Sequence, residues 1–257
     1  MNPTPLPASF DIPYVVLSLL ISTVGAFVAL TAAAGIAGRN RPLNRVNLFA
    51  AGVALGGIGI WAMHFIGMLA MQVDMGVGYA VTETLVSLAF AVVGSTLALS
   101  WVARHPGSTR HLLQGGLVLG LAVCVMHYLG MYGMRFGGYF QWSGTLVGVS
   151  VLIALVAATA ALFLAFSARG LAARALAAVV MGVAVCAMHY TGMAAATFIC
   201  TSATPGLIPP GFGVVAARDL PVLVSVLALG MAFVISVDQV FQRLGAAPSG
   251  QPVRRRA

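Results

Sequence analysis

The sequence predicts an all-α integral membrane protein: seven transmembrane helices, built as three parallel two-helix repeats around a pseudo-threefold axis plus a seventh helix. Three observations predict it. The 257 residues are 60% hydrophobic and only 7% charged, with a mean hydropathy of +1.01, whereas a soluble domain carries about a quarter charged residues. Seven apolar runs reach the ~20 residues needed to cross a bilayer. A hexapeptide of pattern M-H-[FY]-x-G-M occurs at Met63–Met68, Met126–Met131 and Met188–Met193, with the histidines 63 and then 62 residues apart. Such a period marks an internal repeat.

The runs cover residues 13–38, 46–72, 80–103, 111–134, 144–168, 172–197 and 220–243. Gly and Ala are abundant in them, as close helix packing in lipid requires. Residues 1–12 form a proline-rich N-terminal outer segment without the basic start of a signal peptide. Residues 13–243 form the seven-helix membrane domain, and 244–257 a short basic cytoplasmic tail. The segment from Cys200 to Asp219, rich in Pro and Gly, is expected to be an irregular cap over the outer mouth. Two of the three cysteines, Cys124 and Cys186, lie inside apolar runs, which argues against a disulfide framework. Cys200 falls near the outer end of the sixth helix.

The loops alternate in charge. Arg39, Arg41, Arg45, Arg104, Arg110, Arg169, Arg174, Arg243, Arg254, Arg255 and Arg256 fall on one side, eleven of thirteen. The other side holds Arg135 and Arg218 with Asp11, Asp74, Glu83 and Asp219. The positive-inside rule puts the N-terminus outside and the C-terminus in the cytoplasm. The net charge of +8 then reflects arginines facing anionic headgroups rather than nucleic acid. Asp238, at the inner end of the seventh helix, is placed to pair with a loop arginine. Trp101, Trp142, Tyr79, Tyr139 and Phe140 sit where an aromatic belt is expected.

Each repeat crosses the membrane twice, so the second, fourth and sixth helices run the same way, with the motif in the outer half. Counting each histidine as zero, position −7 is Gly57, Gly120 and Gly182, and −3 is Trp61, Cys124 and Cys186. Position +4 is Met68, Met131 and Met193, and +7 is Met71, Met134 and Ala196. At ~100° per residue these form one stripe on each helix, bordered by Gly67, Gly130 and Gly192 at +3. The glycines are expected to let the three backbones approach.

Histidine is costly inside lipid and is by default a functional residue there. Imidazole binds copper, zinc, iron or nickel, and thioethers select Cu(I). The expected metal ligands are His64, Met68, His127, Met131, His189 and Met193. Cys124, Cys186, Met71 and Met134 either bind further metal or only pack. Met63, Met126 and Met188, at −1, point about 100° away and suit packing or support of the ligands better than ligation. For one copy alone, a packing methionine and a hydrogen-bonded histidine would suffice; three copies at one depth favour a shared site. No nucleophile–base–acid set and no nucleotide motif is present, so no enzymatic activity is expected.

The three motifs resemble the MHYT domain, an integral membrane sensor module of bacteria, over roughly Pro13 to Arg243. The resemblance implies a multi-pass protein of the bacterial cytoplasmic (inner) membrane that binds a metal, copper by preference, near the outer face. It implies sensing of O2, CO, NO or redox state, and signal transduction to a partner. Many members join the module to cyclic-di-GMP enzymes or histidine kinases; here a separate output protein is expected. Phe65, Trp61 and Ala196 depart from the pattern and put the cysteine and upper methionine layers in question. Alternatives are a copper carrier or transporter, and a haem-binding or structural membrane subunit. The Gly, Ala, Val and Leu of the inner half-helices disfavour transport, and glycine at −7 disfavours the wide cleft of haem. The lipid bilayer is the remaining partner.

Overall fold

The computed structural model describes residues 3–36, 42–211, 213–217 and 219–245. Arg39, Arg41, Arg218, Arg254, Arg255 and Arg256 lie outside the described residues, as does the tail from residue 246. Among the described residues, seven helices are long and apolar enough to cross a membrane. They are α1 Ile12–Ala33, α2 Arg45–Ala70, α3 Val81–Arg104, α4 Thr109–Tyr132, α5 Gly144–Ser167, α6 Leu171–Ala194 and α7 Leu220–Gly245. Their starts follow local chemistry. Proline lies in the first turn of α1, where a missing N–H costs nothing. Asn44 caps α2, its side chain accepting from the Asn47 N–H at 3.1 Å. Gly170, at φ +83°, turns the chain into α6.

Helices α1 to α6 form a closed ring in chain order, with α1 completing the circle against α6. The motif helices α2, α4 and α6 also meet one another directly. α7 lies outside the ring against α1 and α2. Helix α2 is therefore covered on several sides and is the most buried span. Its middle, Val53–Ala62, winds as a π-helix, a form that concentrates at functional segments. Small residues permit its neighbours' approach. A Cβ on Gly25 of α1 would overlap the backbone of Gly59, and Ser22 donates to the Gly59 carbonyl at 2.8 Å.

The glycines at −7 do not face each other, as the single-stripe expectation required. Gly57 faces Val92 and Leu88 of α3, Gly120 faces Leu155 of α5, and Gly182 faces Thr23 of α1. Each motif helix thus turns this edge toward an odd-numbered neighbour. On the same edge, Tyr128 hydrogen-bonds Ser150 of α5 at 2.6 Å and Tyr190 hydrogen-bonds Ser18 of α1 at 2.9 Å. The first repeat has Phe65 in place of the tyrosine. There the bond comes from one turn lower: Trp61 Nε1 donates to Ser87 Oγ of α3 at 3.1 Å and to the Thr84 carbonyl at 3.1 Å. The indole fills the place held by Cys124 and Cys186 in the other repeats. The two departures at Trp61 and Phe65 are one compensated exchange.

At the motif end, short strands form a lid. They are β1 Thr4–Leu6, β2 Ser9–Phe10, β3 Met71–Gln72, β4 Gly78–Ala80, β5 Met134–Arg135, β6 Gly138–Trp142, β7 Ala196–Cys200 and β8 Val214–Ala216. β7 pairs antiparallel with β1 and β6, β2 with β3, and β4 with β5 and β8. Each motif helix thus runs straight into a strand. Met71 and Met134, expected at +7 on the helix stripe, are strand residues, and so is Cys200. Their helices end at Ala70, Tyr132 and Ala194. Between Cys200 and Asp219 the described residues are irregular apart from Val214–Ala216. Phe136, Phe140 and Phe198 cluster inside the lid with ring centroids 4.9–5.3 Å apart. Arg135 forms an ion pair with Glu83 in the first turn of α3.

Of the residues assigned to an aromatic belt, Trp101, Tyr139 and Trp142 are exposed, but Tyr79 is 2% exposed. Its ring packs edge-on against Phe65 with centroids 5.8 Å apart, and burial pushes its phenol pKa upward. At the other end, Asp238 accepts from Gln242 at 2.7 Å; Arg39 and Arg41, the loop arginines expected near it, lie outside the described residues. Gln239 ties α7 to α2 through Asn47 Oδ1 at 2.8 Å.

Removing the indole should test the compensated exchange. Trp61→Cys leaves a cavity and removes the indole's donation to Ser87, which keeps its own bond to the Thr84 carbonyl; the expected loss is ~3–5 kcal/mol. Adding Phe65→Tyr should restore ~1 kcal/mol through a new hydroxyl–Ser87 bond. Thermal unfolding of both variants in detergent reads this, and a double variant no more stable than the single one would refute the exchange.

Candidate metal centre

The inward face of each motif helix carries its histidine. His64, His127 and His189 are 0%, 1% and 1% exposed. One ring nitrogen from each lies within 4.8 Å of the others. The Nδ1 atoms of His64 and His189 are 3.1 Å apart, and those of His127 and His64 3.2 Å. The rings stand roughly perpendicular to one another, with centroids 4.9–5.3 Å apart. Among the described residues this is the one group of histidine, cysteine and acidic side chains compact enough to hold a metal ion.

Glycine is what permits this geometry. The Nε2 edge of His189 lies over Gly67 of α2, that of His64 over Gly130 of α4, and that of His127 over Gly192 of α6. Each histidine is seated on the +3 glycine of the next motif helix, in a cycle. A Cβ on any of the three glycines would overlap the ring. Spacing the histidine and glycine three residues apart places them on adjoining faces of one helix. One helix can then offer a ring to one neighbour and a seat to the other.

Chemistry limits what such a cluster does. A neutral imidazole has one N–H and one lone pair. His64 Nδ1 faces two other Nδ1 atoms, and a single proton on it serves only one of them. The three Nε2 atoms are buried without a hydrogen-bond partner, which is costly. Three nitrogens bound to one ion at ~2.0–2.1 Å stand about 3.3–3.5 Å apart. The two separations from His64, 3.1 and 3.2 Å, fall just short of this, and the three ligand nitrogens lie within 4.8 Å of one another, so movement of the rings would accommodate an ion. The residues fit a metal held by Nδ1, with Nε2 carrying the proton.

The remaining predicted residues divide by position. Met68, Met131 and Met193 are buried, one turn from the histidines toward the lid. Met63, Met126 and Met188 are buried as well. Cys124 and Cys186 stay outside the histidine cluster; Cys186 Sγ lies 4.0 Å from Ser18 Oγ. Met71 and Met134 sit above, in the lid. The serines Ser18, Ser87 and Ser150 escaped the sequence reading. The available signal was a buried serine on each odd-numbered helix of the ring, at the depth of the motif tyrosines. Toward the opposite end, a cavity of about 30 Å3 lies between apolar groups of α1, α2, α4, α5 and α6.

A seven-helix membrane bundle with a buried three-histidine cluster under a lid defines the class: a polytopic membrane protein with a candidate metal centre near one face. The MHYT family model, described as a bacterial signalling protein N-terminal repeat, matches residues 57–115, 120–178 and 182–247, and the chain belongs to that family. Similar curated proteins are the bifunctional diguanylate cyclase/cyclic di-GMP phosphodiesterase MucR of Pseudomonas aeruginosa, 34% identical over 90% of this chain, and the signaling protein YkoW of Bacillus subtilis, 30% identical over 77%. The cyclic di-GMP phosphodiesterase NbdA of Pseudomonas aeruginosa is 35% identical over 58%. The chain spans 34%, 25% and 20% of their respective lengths. No solved structure matches it.

The glycine seats should be as sensitive as the histidines. Gly130→Ala is expected to displace the His64 ring and to weaken metal binding roughly 10–100-fold, the range seen when support of a ligand is lost. Metal titration of the purified variant checks this; unchanged affinity would show that the seat is dispensable.

Proposed function

We propose that the chain is a membrane-embedded sensor module, without catalysis of its own, that binds copper through His64, His127 and His189. Met68, Met131 and Met193 complete the set from one turn nearer the lid. The observation that carries this reading is the convergence of the Nδ1 atoms while all three Nε2 atoms stay buried and unpartnered. One cation at the centre uses every Nδ1 lone pair, an arrangement hydrogen bonds alone cannot reach. Thioethers beside imidazoles favour copper over harder ions. Bound copper would supply a centre responsive to redox state, with room in a three-nitrogen set for a small ligand such as O2, CO or NO. The protein's own contribution is to orient the rings and exclude water. The small cavity toward the opposite end, lined by apolar groups apart from Ser22 and a few backbone atoms, supports sensing over transport.

The activities that MucR and NbdA are named for support an output in cyclic-di-GMP signalling, delivered to a partner protein. Helix α2 is the element suited to carry the response. It bears His64 at one end, a π-helical middle, and the Asn47–Gln239 link to α7 at the other. We place the lid outside the inner membrane, residues 1–12 with it, and the tail in the cytoplasm.

Elemental analysis of protein purified after copper loading tests the reading. Replacing all three histidines by alanine should remove the nitrogen-bound copper. Replacing Met68, Met131 and Met193 together by leucine should weaken Cu(I) more than Cu(II), because soft donors are lost and nitrogen donors kept. Full copper content in the triple histidine variant would place the site elsewhere.

Orientation has its own measurement. A reporter fused after Ala257 should be active only as a cytoplasmic reporter, from the arginine bias. Periplasmic activity would invert the assignment.

A further inference from the structure

Above the histidine cluster lies a cavity of about 210 Å3 between the end of α2 and the lid. Four methionines from separate places in the chain line it: Met68 in the last turns of α2, Met71 in β3, Met75 in the β3–β4 turn and Met134 in β5. Methionine ordinarily fills gaps in a core; here four of them surround a void large enough for several waters at ~30 Å3 each. The described lining holds no carboxylate and no basic group, so hard divalent ions find no matching donors. Met68 and Met134 are fully buried, whereas Met71 and Met75 are half-buried and Gln72 beside them is exposed. The cavity therefore grades from the surface inward. Met68, in its wall, is one helical turn, about 6 Å along the axis, from His64.

We propose that this cavity is a second, outer site for a soft monovalent cation, Cu(I), which captures the ion through Met71, Met75 and Met134 and passes it by way of Met68 to the histidines. The passage is ligand exchange at constant oxidation state: a thioether bond is released as an imidazole bond forms, and no electron or proton leaves the ion. The site draws Met68, Met71 and Met75 from the first repeat and Met134 from the second, whereas the third has Ala196 at the place of Met71 and Met134. This proposal rests on the copper reading above but, Met68 apart, concerns different residues, and the variants tested leave Met68 in place, so the two are separable.

The test uses the purified full chain in detergent, with Cu(I) supplied under anaerobic reducing conditions. Copper per chain, the sulfur or nitrogen neighbours seen by X-ray absorption, and the rate of loading from limiting Cu(I) are measured. Wild type should bind one Cu(I) more than the Met71→Leu/Met75→Leu/Met134→Leu variant. That variant should fill its nitrogen site roughly tenfold more slowly or worse. The variant with all three histidines replaced by alanine should retain one Cu(I) with sulfur neighbours only. Leucine is close to methionine in volume; should the triple variant fail to fold, Met75→Leu, on a half-buried turn residue, is read by the same loading rate. Equal stoichiometry and equal loading rate in the methionine variants overturn the outer site and leave the histidine centre standing. Sulfur-bound copper in wild type without nitrogen-bound copper does the reverse. No Cu(I) uptake by wild type overturns both.

Discussion

The seating of each histidine on a glycine of the next motif helix is the contact from which the architecture follows. Three rings meet at one point only if three helix backbones come within a ring's thickness of one another, and a single added methyl at Gly67, Gly130 or Gly192 prevents that. Because the seat and the ring belong to the same helix, three residues apart, the contact must run in a cycle. A cycle of three parallel helices needs three antiparallel partners around it. The ring of α1 to α6 supplies them, with α1 serving as outer neighbour to the last motif helix. In lipid the packing of small residues replaces the hydrophobic drive that would hold a soluble core.

Pseudo-symmetry leaves room for individual repeats to differ where the polar accounting still closes. Ser18, Ser87 and Ser150 each find a donor or acceptor on a motif helix, but the first repeat finds it in Trp61 instead of a tyrosine. The larger indole also occupies the space of a cysteine. That exchange removes one of the three positions a thiolate layer would have required, and the remaining two cysteines lie toward the odd-numbered helices. Helix α2 is the exceptional member in other respects: it is enclosed by α1, α3 and α7, it is π-helical in the middle, and it adjoins the methionine-lined cavity.

The lid explains why the motif sits at the end of its helix. Backbone groups freed where α2, α4 and α6 stop must be satisfied in or near an apolar environment. They are taken up by short antiparallel strands, including the N-terminal β1 and β2. Folding the chain back in this way covers the histidines from the lid side. It also brings Met134 over Met68, Met71 and Met75, a neighbourhood that a separation of about sixty residues gives no hint of.

Much was legible in the sequence by itself. Apolar length determined seven spans, because a bilayer admits nothing shorter or more charged. The repeated M-H-x-x-G-M determined that three helices run parallel with their histidines at one depth, because an even number of crossings separates the copies. What the sequence left open was the direction of each side of a helix. The −7 glycines and the cysteines lie within about 60° of the histidine on a helical wheel, close enough to be assigned to the same stripe. Only packing decided that this edge faces an odd-numbered neighbour. Likewise the +7 methionines belong to the stripe only if the helix continues, and the strand pairing that ends it is made with residues more than fifty positions away. Local pattern sets which residues share a helix and a depth; the contact partners of each edge are non-local, and the tertiary structure alone decides them.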